Sequence, residues 1–71
     1  MGSNAAHTES SEAATALRAA ALSYISHPDN AEQAARAITR IVPWSLTRAR
    51  FFVSVNQAQI RSLVDRLRPD R

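Results

Sequence analysis

Between Gly2 and Pro69 only two residues, Pro28 and Pro43, are hostile to a continuous helix. Proline lacks the N–H that an interior turn needs, and it pushes the residue before it out of the helical region. The chain therefore divides into three segments of helix length, which end near positions 27, 42 and 68. Gly2 is the only glycine, so no glycine turn divides them further.

The first segment predicts a helix from Ser10 or Ser11 to about Ile25. Serine is a good N-cap, and Glu9 and Glu12 sit where the positive end of a helix favours carboxylates. Leu17, Ala21, Tyr24 and Ile25 form one apolar stripe at i, i+4, i+7 and i+8. Tyr24 reads as a core residue, and His27 as a residue at the helix C-terminus. Residues 1–9 are small and polar, and they read as a disordered tail or an expression remnant, with residues 10–71 forming a single small helical domain.

Pro28-Asp29-Asn30 is a turn followed by a start signal. Both Asp29 with Glu32 and Asn30 with Gln33 have capping-box spacing. The second helix carries Ala31, Ala34, Ala35, Ile38, Ile41 and Val42 on one face, and Glu32 pairs with Arg36 at i, i+4. Two helices joined by so short a turn predict an antiparallel hairpin.

The segment from Trp44 to Arg68 admits two readings. In the first it is one long or kinked helix. Leu46, Ala49, Val53, Asn56, Ile60, Leu63 and Leu67 alternate at spacings of 3 and 4, the seam pattern of a coiled coil. Phe51 and Val55 then fall on the opposite face and must pack on the hairpin. In the second reading residues 48–55 are a strand and Asn56 caps a short helix. The β-branched and aromatic residues at 51–55 favour it. A lone strand needs a partner, so this version is ααβα with a strand pair between two subunits.

Bulk is scarce. Of 32 apolar residues 14 are alanine. A chain of this length buries only about 60 % of its unfolded surface, and a small single core supplies about 3–5 kcal/mol. No cysteine is present to staple it. The expectation is an all-α fold that dimerises to bury more surface, with Leu46, Val53, Ile60, Leu63, Leu67 and Trp44 forming the interface. Trp44, just after Pro43, covers the junction of the helices.

Several functions find no support in the residues. A phosphate-cradling loop needs glycines that this chain lacks. His7 and His27 have no carboxylate at ligand spacing, and no serine sits in a glycine-flanked elbow. The expectation is therefore no enzyme, no cofactor, no metal and no catalytic residue. No apolar run reaches the roughly 18–20 residues that span a bilayer, and no secretory signal is evident. A cytoplasmic protein that does not enter membranes is expected.

Charge is unevenly spread. Residues 1–35 carry four carboxylates against Arg18, a net −3, and residues 36–71 carry eight arginines against two aspartates, a net +6. All nine basic residues are arginine, which a GC-rich, bacterial genome explains as readily as function does. The basic half makes Arg48, Arg50, Arg61, Arg66 and Arg68 candidate contacts to nucleic acid or another anion. They serve equally to complement helix ends, to pair within the chain or to meet the acidic half of a second copy.

In the strand version, Arg48-Ala-Arg-Phe-Phe-Val-Ser-Val55 followed by Asn56 to Leu67 resembles the strand and first helix of ribbon-helix-helix regulators. That resemblance covers about 20 residues, the span of the quoted strand and helix. It implies a DNA-binding regulator or antitoxin in which Arg48, Arg50 and Phe52 face DNA while Val53, Val55, Ile60 and Leu63 form a dimer core. The family's second helix has no counterpart, because only Arg68-Pro69-Asp70-Arg71 follows. The leading functional expectation is a self-associating helical module that binds another protein as an adaptor, inhibitor or docking piece.

Overall fold

Alanine governs how the helices meet. Methyl side chains let two helix backbones approach closely, and the longest alanine-rich stretch of this chain lies along its first helix. The computed structural model describes the backbone of residues 3–68 and the side chains of residues 11–68. Among these residues four helices occur in order: α1 (Ser3–Ser26), α2 (Ala31–Ile41), α3 (Leu46–Val55) and α4 (Gln57–Leu67). No strand occurs among the described residues.

Helix α1 packs on α2 and on α4, α2 also packs on α3, and α3 and α4 meet mainly where they join. Each helix thus touches its neighbours in a ring around one core. Ala16, Ala19, Ala20 and Ala21 of α1, Ala34 and Ala35 of α2 and Ala49 of α3 are buried there. The bulk comes from few residues. Ile38, Ile60 and Val53 are the largest fully buried side chains, and Tyr24, Val42, Trp44 and Val64 complete the core. Among the described side chains no polar or charged residue is buried.

The connections follow local chemistry. Asp29 takes a left-handed backbone, φ 59°, in the turn after Pro28, a region that aspartate tolerates better than most residues. Asn30 then caps α2, its side-chain oxygen accepting from the Gln33 N–H at 3.1 Å. Of the two spacings that fit a capping box, the Asn30 one provides the cap, and Asp29 stays outside the helix. Ser45 caps α3 in the same way, accepting from the Arg48 N–H at 3.1 Å.

The third segment is broken at Asn56, where φ is −114° and ψ is 21°. The Asn56 side-chain amide donates to the Phe52 carbonyl at 2.9 Å, the same acceptor its backbone N–H uses. Asn56 makes no side-chain cap to α4, so neither a seam position in an unbroken helix nor the expected N-cap describes its role. Geometry explains the bend. A straight helix over 46–67 would run about 33 Å, twice the length of α2. Bending lets α3 lie on α2 and α4 return along α1.

Four expectations are corrected here. Residues 48–55 are helical, so the ααβα alternative does not hold and the ribbon-helix-helix resemblance loses its strand. Phe51 and Val55 do not pack on the first two helices; they are 67 % and 60 % exposed. Ile41, expected on the inward face of α2, is 58 % exposed because it stands at the last turn, where Ile38 and Val42 take the inward positions. Helix α1 starts at Ser3 rather than at Ser10 or Ser11; Ala5 and Ala6 favour helix, and no proline or glycine interrupts residues 3–10. Met1-Gly2 and the Pro69 stop lie outside the described residues.

Candidate interaction surface

The residues expected to join two copies are largely inside one. Val53 and Ile60 have no exposed surface, and Trp44 is 8 % exposed. Leu46, Leu63 and Leu67 are half-buried and pack against the same core. The seam pattern therefore describes the inner face of α3 and α4. A helix that faces its own bundle needs the same 3-and-4 spacing as one that faces a partner, so spacing alone does not distinguish the two.

Trp44 anchors the junction. Its indole N–H donates to Glu12 Oε1 of α1 at 3.2 Å. The Phe52 ring lies 5.2 Å away, tilted by 59°, and the Arg48 guanidinium stacks over the indole at 4.2 Å. One side chain thereby ties α1, the loop after Pro43 and α3 together.

The candidate arginines divide into two groups. Arg50 grips Glu32 of α2 through two hydrogen bonds, 3.0 Å to Oε1 and 2.9 Å to Oε2, and Arg36 adds a third at 3.2 Å. These bonds, Arg50 first, draw the Glu32 carboxyl from its ordinary 4.5 down to about 2. The same contact holds Arg50 above its ordinary value. Arg61 donates to Asp29 at 3.2 Å, and Arg48 lies on Trp44. Arg66 and Arg68 make no ion pair among the described residues. Arg61 and Arg68 line one cleft beside Tyr24, and Arg48, Arg50 and Arg61 each make a contact within the chain.

What the sequence did not mark is the apolar surface left over. Among the described side chains, Leu22, Ile41, Phe51 and Val55 are the large apolar ones exposed by about half or more, and they form two pairs. Phe51 and Val55 lie one turn apart on the outer side of α3, opposite Ala49 and Val53. Leu22 and Ile41 flank an open groove of about 360 Å³ between α1 and α2, lined also by Ala19 and Ala37. For Leu22 the sequence does carry a signal, since it falls off the stripe of Leu17, Ala21, Tyr24 and Ile25.

Among the described residues no cluster of three or more histidine or carboxylate groups could hold a metal ion. No helix among the described residues is long and apolar enough to cross a membrane. No known protein family, curated protein or solved structure matches this chain.

Proposed function

We propose that this protein is a non-enzymatic docking module. It is a small helical domain whose outer apolar residues seat another protein, as an adaptor, an inhibitor or a docking piece would. The observation that carries this reading is the exposure of Phe51 and Val55 on a helix whose opposite face already closes the core. A large exposed aromatic beside an aliphatic residue supplies affinity when covered, because burying such side chains is worth about 1.5–3 kcal/mol each. Arginines around it set orientation and encounter rate.

Pairing of two copies belongs to the same reading and would be weak. The pairing of Arg50 with Glu32 and the stacking of Arg48 on Trp44 lessen the repulsion between two α3 helices laid face to face. Two Phe51–Val55 pairs would cover roughly 400 Å² of apolar surface, taking about 150–250 Å² for a whole aromatic side chain. That is well below the roughly 1,200 Å² of stable complexes. The dimer would form at high concentration and leave the face open to a heterologous protein at low concentration.

Sedimentation velocity over a concentration series tests this, with thermal melting as the check on folding. The wild type is expected to sediment faster as concentration rises, and Phe51→Asp to stay monomeric with an unchanged melt. A Phe51→Asp variant that still associates, or a wild type that never does, removes the pairing. A Phe51→Asp variant that unfolds shows that the side chain belongs to the core and removes the docking reading of this face.

A further inference from the structure

The groove between α1 and α2 is built differently from the α3 face. Ala19 is buried and Ala37 is half-buried, and the exposed Leu22 and Ile41 stand beside them. Ser23, Ser26, His27, Gln33 and Arg40 supply a polar rim. Small residues flanked by large ones form the holes into which bulky side chains of another helix insert. The open volume of about 360 Å³ exceeds twice the roughly 150 Å³ of a cavity that accepts a benzene ring. It is therefore large enough for two leucine-sized side chains.

Charge around the groove has one sign. Arg40 lines it, and Arg18 stands one helical turn before Leu22 on α1. Neither makes an ion pair among the described residues. All four carboxylates with described side chains lie elsewhere. Glu12 holds Trp44, Asp29 holds Arg61, Glu32 holds Arg50 and Arg36, and Asp65 lines a separate cleft beside Tyr24. That cleft is lined by Asp29 and Asp65 as well as Arg61 and Arg68, so it offers no net preference to a ligand.

We infer that the α1–α2 groove receives an acidic amphipathic helix from a partner protein. The partner's apolar residues would insert beside Ala19 and Ala37 between Leu22 and Ile41, and its flanking carboxylates would meet Arg40 and Arg18. A helix suits the site because the groove runs between two packed helices, and no sheet edge exists among the described residues to pair an extended peptide. The inference rests on the docking reading above and names the partner class for a second face.

The probe is a designed helical peptide with one leucine stripe flanked by glutamates, alongside the same peptide with lysines in place of the glutamates. Binding is read by fluorescence anisotropy against the full chain. The glutamate peptide is expected to bind, to weaken as salt rises and to bind the double variant Leu22→Ser/Ile41→Ser at least tenfold more weakly. Arg40→Glu is expected to weaken the glutamate peptide and to strengthen the lysine peptide. All three substituted side chains are exposed, so thermal melts of these variants should match the wild type.

Equal binding of the two peptides, full binding to the double variant, or no binding at low salt overturns the inference. So does a concentration-dependent dimer that Leu22→Ser/Ile41→Ser abolishes, because a second copy would then cover the groove. Phe51→Asp is run in parallel and is expected to keep peptide binding. A wild type that pairs through Phe51 but ignores both peptides removes the groove inference and leaves the α3 reading. Peptide binding at the groove together with pairing that survives Phe51→Asp does the reverse.

Discussion

Ile60 and Phe51 are nine positions apart and both large and apolar, yet they should respond oppositely to substitution. Ile60 has no exposed surface, whereas Phe51 is 67 % exposed. Removing one methylene at Ile60 by Ile60→Val should cost about 0.5–1.5 kcal/mol, and Ile60→Ala about 2–5 kcal/mol, because a close-packed site relaxes only partly around the space left. A chain of this length carries roughly 4–10 kcal/mol in total, so Ile60→Ala removes a large share of it. Each kcal/mol shifts the melting temperature of so small a domain by about 4–8 °C. Ile60→Val should then lower it by roughly 2–12 °C, with Ile60→Ala at the edge of unfolding. Phe51→Ser should change stability by no more than about 0.5 kcal/mol, or roughly 4 °C. Far-ultraviolet circular dichroism melts at low protein concentration measure all three. A loss for Phe51→Ser as large as that for Ile60→Ala would refute the assignment of inner and outer faces to α3 and α4.

Three further outcomes follow from the same structure. Glu32 titrates lower in the folded chain than its ordinary 4.5, near 2, so its contribution is present above about pH 4.5 and is lost as pH falls toward about 2. The melting temperatures of wild type and Glu32→Gln should therefore differ near neutrality and converge in acid, and a constant difference would show that the carboxylate has no net role. Removing the α3 cap by Ser45→Ala should cost about 1 kcal/mol in a denaturant titration, and Asn30→Ala about the same for α2, while Ser10→Ala, in the interior of α1, should not lower stability. Trp44 fluorescence should be blue-shifted in the folded state and move to the red on unfolding, since the indole is nearly enclosed by Glu12, Arg48 and Phe52; an emission already red in the native chain would contradict that enclosure.

Much of the architecture was legible before any coordinates. Pro28 and Pro43 mark where helices must stop, and α1 and α2 end within a residue or two of them. The Glu32–Arg36 pair follows from spacing alone, and spacing offers Asn30 as one of two caps for α2. Trp44 covers the helix junction as its position after Pro43 suggested. The bend at Asn56 was harder to read, because the 3-and-4 spacing continues across it and the Asn56 amide shares the Phe52 carbonyl with its own backbone N–H, a contact that spacing does not show.

The candidate site was the least legible part. Leu46, Val53, Ile60, Leu63 and Leu67 have the spacing of an interface, and they pack within the chain because the bend returns α4 to α1. Alanine scarcely contributes bulk, but it shortens the distance between helices, so a few larger residues suffice to fill the centre. The arginines were visible as a charge excess, but their partners were not, since Arg50 to Glu32 and Arg61 to Asp29 join positions far apart in the chain. Spacing puts Phe51 and Val55 opposite the seam, but not against the hairpin as expected; they face outward. Only the packing of α3 on α2 shows that nothing in the described chain covers them.

Thermal melting across a dilution series at low micromolar concentration bears most directly on whether one chain closes its own core. A folded state that needs no second molecule melts at a temperature independent of concentration, whereas an obligate dimer melts higher as concentration rises. A constant melting temperature with a cooperative transition is the expected result. A melting temperature that climbs steadily with concentration, and does so in Phe51→Asp as well, would place Val53 and Ile60 in an interface after all and contradict the separation of core from docking surface.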